Sequence, residues 1–371
     1  MVEYKTKELV SALGLPSEEL QQLLGNLPPR PKLERPPASV IREYSNNLEQ
    51  ANYDKTPTLG TTEFTIPIPL RDGSLSDLRI CKPPAQTPEA LVLLIYGGGM
   101  ISGTNKQLIQ FARLFATLYN VAVALPSYRL APEHKFPTAP ADIWDCVTWL
   151  RENAKSHPAL SADLEKGFVI AGVSAGANLA VVAAHRAARE ALNGSGNGNP
   201  SPFPFTGLWA AAPGLFTDNT VDDNTIIPEK YRHLWLSRTQ NAHAPVLGAA
   251  ELTLIGEYYA PESTDDYTPF RDMGTFSPRV IPRTYVQVCG MDPLRDDGLV
   301  YERALRDNGV QTRLNVYPGM PHGHWVAFPH LVASRQAILD AVREMGWLLG
   351  GEVEGGNIVE VAREIGLDLD L

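Results

Sequence analysis

Gly172-Val173-Ser174-Ala175-Gly176 lies between an apolar run and a run of helix formers. Upstream, Gly167-Phe168-Val169-Ile170-Ala171 reads as a short buried strand, and downstream Asn178 to Leu192 reads as a helix that stops at Asn193-Gly194. A G-x-S-x-G between a strand and a helix is the nucleophile-elbow pattern. The turn is so sharp that a side chain on either flank would strike the neighbouring strand or helix, and Gly accepts the backbone angles it needs. It lifts the Ser hydroxyl clear of the sheet and aims it at a helix N-terminus, where partial positive charge favours an oxyanion.

A serine at its free pKa is a poor nucleophile. It needs a neutral imidazole to take its proton and a carboxylate to orient that imidazole. In the order that accompanies such an elbow, the acid and then the histidine follow the serine, each past a strand end. Asp292 follows the apolar run Thr284 to Cys289; the alternative is a plain turn residue before Pro293. Asp296 and Asp297 have the look of N-cap residues for the next helix. His322 sits in Tyr317-Pro318-Gly319-Met320-Pro321-His322-Gly323-His324, expected as a loop after the strand Thr312 to Tyr317, with His324 as its nearest competitor. The other histidines have no strand-end placement of the right order and read as structural or surface residues.

An oxyanion needs preorganised backbone donors. Tyr96-Gly97-Gly98-Gly99 follows the apolar strand Ala90 to Ile95, where a glycine run bares its N–H groups. A flexible turn is the plain alternative. A phosphate-cradling loop is another, but the Lys and Ser/Thr of a P-loop are missing.

These residues must be carried by alternating elements. Thr61 to Pro69 and Leu78 to Lys82 read as a strand pair joined through Arg71-Asp72-Gly73. Strands at Ala90 to Tyr96, Val121 to Leu125, Gly167 to Ala171, Thr206 to Pro213, Thr284 to Cys289 and Thr312 to Tyr317 alternate with helices at Gln107 to Tyr119, Pro140 to Asn153, Asn178 to Leu192, Asp297 to Asn308 and Ser334 to Leu349. That alternation implies a mainly parallel central sheet with helices on both faces. Residues 1–55 are polar with a helical pattern: Ser17 is a candidate cap before Leu20, Leu23, Leu24 and Leu27, and Pro28-Pro29-Arg30-Pro31 is the expected stop. Residues 194–204 read as a loop. Between Phe216 and Phe276 the alternation fails, and Tyr231, Trp235, Tyr258, Tyr259 and Tyr267 stand among polar residues. This stretch reads as an inserted lid, because ligands of open α/β sheets bind at the carboxyl ends of the strands. Asn357 to Ile365 is patterned for one more short helix. The expected organisation is an N-terminal cap segment 1–55, core 56–216, lid 217–275, core 276–350 and tail 351–371.

The chain has 371 residues, 44% hydrophobic and 20% charged, with net charge −10. An acidic balance argues against nucleic acid or an anionic membrane as partner. No apolar run approaches the roughly 18 residues of a membrane span. The start, Met1 to Lys7, lacks the apolar region of a secretory signal, so the expected location is cytoplasmic and the Asn193-Gly194-Ser195 sequon is expected to go unused. Cys81, Cys146 and Cys289 are far apart and odd in number, which fits buried thiols better than disulfides or a zinc site. No metal and no cofactor is expected. A homo-oligomer is left open.

Five motifs taken together resemble the hormone-sensitive-lipase-like family of α/β-hydrolases, the carboxylesterases, from about Leu91 to Leu349. They are Tyr96 to Gly99, Tyr128-Arg129-Leu130-Ala131-Pro132-Glu133-His134, Gly172 to Gly176, Asp292-Pro293-Leu294-Arg295-Asp296-Asp297, and His322-Gly323. The resemblance implies an α/β-hydrolase fold with a helical cap, and Ser174, Asp292 and His322 as a catalytic triad. It implies Gly98, Gly99 and Ala175 as oxyanion donors, with Tyr96 and Gly97 supporting that loop through a hydrogen bond from Tyr96. The family usually has His at the position of Tyr96, an aromatic at Met100, an acid at Val173 and Gly at Ala177. Met100, Leu294 and Trp235 are the expected pocket residues, and Met at position 100 would soften the acyl pocket. The implied activity is cofactor-free cleavage of a small or medium carboxylic ester or lactone through an acyl-enzyme. A non-hydrolytic reaction on the same fold (elimination, cyclisation or acyl transfer) is the first alternative, and a ligand-binding receptor on a hydrolase scaffold the second.

Overall fold

A computed structural model of the chain describes residues 4–26, 35–84, 87–194, 205–216, 227–262, 275–351 and 355–364. Three helices come first, α1 (Lys7–Ala12), α2 (Glu18–Gly25) and α3 (Ala38–Lys55), followed by the hairpin β1 (Thr62–Pro69) and β2 (Leu75–Lys82). The alternating part then runs β3 (Ala90–Ile95), α4 (Ile109–Tyr119), β4 (Val121–Pro126), α5 (Thr138–Asn153), β5 (Phe168–Val173), α6 (Ala175–Asn193) and β6 (Gly207–Ala211). A 3₁₀ turn (Glu229–Leu234) and the helices α7 (Ser237–Gln240) and α8 (Ala249–Tyr259) precede β7 (Arg283–Met291), α9 (Arg295–Asp307), β8 (Thr312–Pro321), α10 (His324–Ala327), α11 (Val332–Leu349) and α12 (Gly355–Glu364). The proline run at 28–31, Leu27, the loop residues 195–204, and the lid residues 217–226 and 263–274, Tyr267 among them, lie outside the described residues.

All eight strands form one sheet in the order β1-β2-β4-β3-β5-β6-β7-β8. Pairing is antiparallel from β1 to β4 and parallel from there on. β3, β4, β5 and β6 are buried along their whole length. This is why they read as continuous apolar runs rather than as alternation: helices cover both faces. Along β7 the two faces separate cleanly. Gln287 donates to the Ala337 carbonyl of α11, whereas a Cβ at Gly298 of α9 would lie 2.7 Å from Val288 Cγ2. α11 and α9 therefore sit on opposite faces. Among the described residues, no helix is long and apolar enough to cross a membrane.

Ser17 caps α2 as expected, its Oγ accepting the Leu20 N–H at 3.2 Å. β2 starts three residues earlier than its sequence suggested, because the turn is tight: Leu70 N–H bonds Ser74 O at 2.9 Å and Asp72 accepts the Ser74 N–H at 3.0 Å. β8 also runs on to Pro321, which pairs with Met291 beyond an irregularity in the β7 ladder. His322 is thus seated at the end of a strand, not in the middle of a loop.

The β5–α6 turn is the tightest junction. A Cβ on Gly172 would lie 2.2 Å from Gly176 O, and one on Gly176 would lie 2.1 Å from Ile95 O of β3. Both contacts are with backbone, which has no room to give. Gly176→Ala is therefore expected to lower stability by roughly 3 kcal/mol or more. Gly25→Ala, where nothing lies within 4 Å of the added carbon, should shift it by no more than about 1 kcal/mol. Urea-unfolding midpoints of the two variants compare them directly. Equal midpoints would show that α6 does not press on the end of β3.

Candidate active site

Ser174 adopts φ 56° and ψ −119°, a left-handed backbone that a side-chain-bearing residue rarely holds. Its N–H is fixed to Ala211 O at 2.8 Å, and its carbonyl accepts the Asn178 N–H at 3.1 Å as the first bond of α6. Ser174 thus stands at the start of α6, whose first N–H groups have no partner within the helix.

Asp292 and His322 converge on this hydroxyl. Asp292 is fully buried just beyond β7. Its Oδ1 accepts the Leu294 N–H at 2.8 Å and its Oδ2 meets His322 Nδ1 at 2.6 Å, so it is a turn residue and a partner of the histidine at once. A carboxylate cannot donate, so Nδ1 carries the proton and Nε2 is left as the acceptor. Nε2 lies 2.8 Å from Ser174 Oγ. Asn241, which follows α7, donates to Asp292 O at 2.9 Å and to Gly290 O at 3.2 Å, which steadies the acid from behind.

The glycine loop lies against the serine, for a Cβ on Gly97 would be 3.0 Å from Ser174 Cβ. Gly98 O accepts from Ile101 N at 3.1 Å, Ser102 N at 3.0 Å and Ser102 Oγ at 3.2 Å. In a trans peptide the C=O and N–H point in opposite directions, so these bonds turn the Gly99 N–H the other way. Tyr96 does not bond the glycine loop through its hydroxyl, contrary to the sequence expectation. Its ring stacks on Tyr128 with centroids 4.3 Å apart, and the two tyrosines exchange bonds: Tyr128 OH to Tyr96 O at 3.1 Å, and Tyr96 OH to Tyr128 O at 3.4 Å. Burial holds the Tyr96 phenol well above the usual tyrosine range. The 128–134 motif is itself tied down, with Arg129 forking onto buried Asp142 of α5. Arg42 of α3, invisible as a site residue in the sequence, donates to Ile101 O at 2.8 Å and pairs with Glu133.

Of the expected pocket residues, Leu294 forms a small apolar cluster with Leu247 and Leu252, against which Ile255 packs. Ile255 also sits on the glycine loop: a Cβ on Gly99 would be 2.6 Å from its Cδ1. Sequence reasoning missed Ile255, and its only trace was the helical spacing of Leu252 and Ile255. Met100 is buried with φ 62°, its carbonyl accepting the Ala131 N–H. Trp235 packs edge-on against Phe216 at 4.9 Å and beneath Arg238 at 5.0 Å, contacts that do not involve Ser174 or His322.

Asp296 and Asp297 are not N-caps. Leu294 holds that position, and both carboxylates are fully buried in the first turn of α9. Asp296 accepts the Leu236 and Ser237 N–H groups and pairs with Arg295 at 2.6 Å. Asp297 accepts the Leu215 and Phe216 N–H groups and pairs with Arg238 at 2.8 Å. Burial pushes the Asp297 carboxyl up, against the pull of Arg238. The ties to Leu236, Ser237 and Arg238 clamp the 227–262 segment to the strand end that carries Asp292. Among the described residues no three His, Cys, Asp or Glu side chains are grouped to hold a metal.

A family model described as alpha/beta hydrolase fold matches residues 92–326. An AB hydrolase superfamily protein of Schizosaccharomyces pombe is 33% identical over 285 residues, covering 76% of this chain and 78% of that one. Esterase LipI of Mycobacterium tuberculosis is 30% identical over 244 residues, 65% of this chain and 67% of that one. Among solved structures, the crystal structure of vibralactone cyclase superposes with a TM-score of 0.78 at 26% identity, covering 91% of this chain and 96% of that one.

His324 is fully buried and does not line the site. Its Nδ1 meets Ser334 Oγ of α11 at 2.9 Å, and its ring packs on Tyr317 and Trp325. Burial first, then the neighbouring His322, pushes its pKa down to about 3. In the unfolded chain a histidine titrates near 6.5. The unfolded state therefore takes up a proton before the folded one does. Stability is complete above about pH 6.5 and is lost as pH falls from there towards 3, at up to roughly 1.4 kcal/mol per pH unit. His324→Asn keeps a partner for Ser334 and removes the titration. Between pH 6 and 4 its stability should fall less steeply than that of the wild type, by up to that slope. Parallel urea-midpoint profiles for the two proteins would rule the buried neutral imidazole out.

Proposed function

We infer, because the chain belongs to the hormone-sensitive-lipase-like family of α/β-hydrolases, that it is a serine hydrolase cleaving a small or medium carboxylic ester or lactone. The observation that carries the reading is the continuous chain from Asp292 Oδ2 through the His322 ring to Ser174 Oγ, with both links at hydrogen-bond distance. In this reading Ser174 attacks the carbonyl carbon while Nε2 of His322 takes the hydroxyl proton. Asp292 holds the tautomer and stabilises the imidazolium that forms. The oxyanion forms beside the N–H groups of Gly98, Gly99 and Ala175. The imidazolium returns its proton to the leaving alcohol, and a water activated by the same imidazole releases the acid. Residues 1–55 and 217–275 are assigned to a cap over this site, with Ile255, Leu294 and Met100 as its apolar wall.

A second reading is favoured by one comparison. A protein whose structure is titled vibralactone cyclase shares the architecture across nearly the whole chain. Here the same serine and histidine would serve a reaction in which water is not the acceptor. Tyr96 in place of the family's usual His is the residue that such a reading would single out. Its hydroxyl is directed to Tyr128 O, which supports a bracing role.

Ser174→Ala is expected to lose turnover of p-nitrophenyl esters by a factor on the order of 10⁶ in kcat, and His322→Ala by a similar factor. The double variant should be no worse than either single one, because the three residues act as a unit. An organophosphonate should label Ser174 alone. If His324→Ala, not His322→Ala, matched the serine variant, the base would be misassigned. For the second reading, the product made from the natural substrate in ¹⁸O-water decides: hydrolysis places label in the acid, and cyclisation or elimination leaves it out. Tyr96→His should keep ester hydrolysis within about tenfold, since one bracing hydrogen bond is worth about 1 kcal/mol.

A further inference from the structure

Glu49 is an odd residue to find in the interior. It lies on α3, two turns beyond Arg42, and is only 6% exposed. Burying a carboxylate is costly unless donors surround it. Three do: Ser45 Oγ at 3.1 Å, Thr104 Oγ1 at 2.6 Å and Gln107 Nε2 at 2.9 Å. Gln107 is the informative partner. Since Glu49 can only accept, the Gln107 amide must present its NH₂ to it. The amide oxygen is thereby turned to the Gly97 N–H, which it accepts at 2.8 Å. The same NH₂ also reaches Gly97 O at 3.4 Å.

These contacts fall on the peptides that lead into the expected oxyanion donors. The Tyr96–Gly97 peptide is held at its C=O by Tyr128 OH and at its N–H by Gln107. The Gly97–Gly98 peptide is held at its C=O by Gln107, so its N–H, that of Gly98, points away from Gln107. The Gly98–Gly99 peptide is held at its C=O by Ile101 and Ser102. Three consecutive planes of a glycine run are thus oriented, and Gln107 hydrogen-bonds both of the first two.

We propose that Gln107, oriented by Glu49, is a positioning residue that aims the Gly98 N–H group at the reacting oxygen, beside the Gly99 N–H that Ile101 and Ser102 orient. The proposal rests on the acyl-transfer reading above. A glycine run without such a brace samples many backbone states, and donors that must reorganise during the reaction lose most of their effect. The brace is oriented from the N-terminal segment, so Glu49 of α3 reaches the glycine loop through Gln107.

Gln107→Leu keeps the volume and removes both bonds to Gly97. With p-nitrophenyl esters it should lower kcat by about 10- to 100-fold, less than the roughly 10²- to 10³-fold loss of a whole oxyanion donor, with KM within about threefold. The inhibition constant of a boronic acid, which forms a tetrahedral adduct with the serine, should rise by the same factor as kcat/KM falls. A merely structural role would not link those two quantities. Gln107→Glu sets two carboxylates against each other and should be as impaired. Combined with Glu49→Gln, the carboxylate at position 107 accepts from the Gly97 N–H and from the new amide at position 49, though it cannot donate to Gly97 O. This pair should therefore recover several-fold over Gln107→Glu alone without reaching wild type, and it carries the test even if Gln107→Leu does not fold. Wild-type kcat in Gln107→Leu, or no recovery in the exchanged pair, overturns the brace while the wild-type ester turnover stands. If the wild type neither turns over esters nor is labelled at Ser174, the acyl-transfer reading itself fails, and the proposal falls with it.

Discussion

The backbone turn at Ser174 is the constraint on which the rest depends. A residue with a side chain is held at positive φ between a buried strand and a long helix, and such a conformation persists only when its surroundings over-determine it. Here they do. Gly172 and Gly176 let the two arms of the turn approach to backbone contact, and the end of β3 presses on the first turn of α6. The same contact brings the strand that leads into the glycine loop beside the serine. One packing event therefore sets the distance between the Ser174 hydroxyl and the glycine loop, two features far apart in the chain.

The N-terminal helix α3 is built in an unusual sense. Arg42, Ser45, Glu49 and Tyr53 recur at helical spacing; Arg42, Glu49 and Tyr53 make the inward contacts, to Ile101 O, Thr104, Gln107 and Glu63, and Ser45 donates to Glu49. Val40, Tyr44 and Leu48 recur at the same spacing and are exposed. Ala38, Ile41 and Tyr53 of this helix pack on the core, and the directed hydrogen bonds add to that contact by fixing the positions of the groups they touch. Those groups are the loops that flank the serine.

On the opposite side of the site the docking is ionic. Asp297 holds the 227–262 segment through its pair with Arg238, and Asp296 holds it through the Ser237 N–H, all buried. Buried ion pairs are weak contributors to net stability, because desolvation offsets most of their attraction. What they contribute is register. Asn241 and Arg238 reach the main chain of Gly290 to Pro293 only if the lid segment sits in one position, and that main chain carries Asp292.

Much of this was legible in the chain itself. The serine, the acid and the histidine follow buried parallel strands, and a buried strand is a local signal: a short apolar run with punctuation at each end. Once the strands are found, their carboxyl ends follow, and Ser174, Asp292 and His322 are what stands there. The sequence could not separate a capping aspartate from a clamping one at 296 and 297. Both roles call for a short acid at a helix start, and the difference lies in partners some sixty to eighty residues away. For the same reason it pointed the Tyr96 hydroxyl at the wrong acceptor, since Tyr128 comes close only when β3 and β4 pair. Gln107 and Glu49 had no signature, and Ile255 only a helical spacing that does not mark a site. An apolar residue on a helix, a glutamine near a helix start and a glutamate in a polar helix are ordinary locally. Tertiary packing alone decided that they meet at one glycine loop, because short-range hydrogen bonds and contacts select by position in space and not by position in the chain.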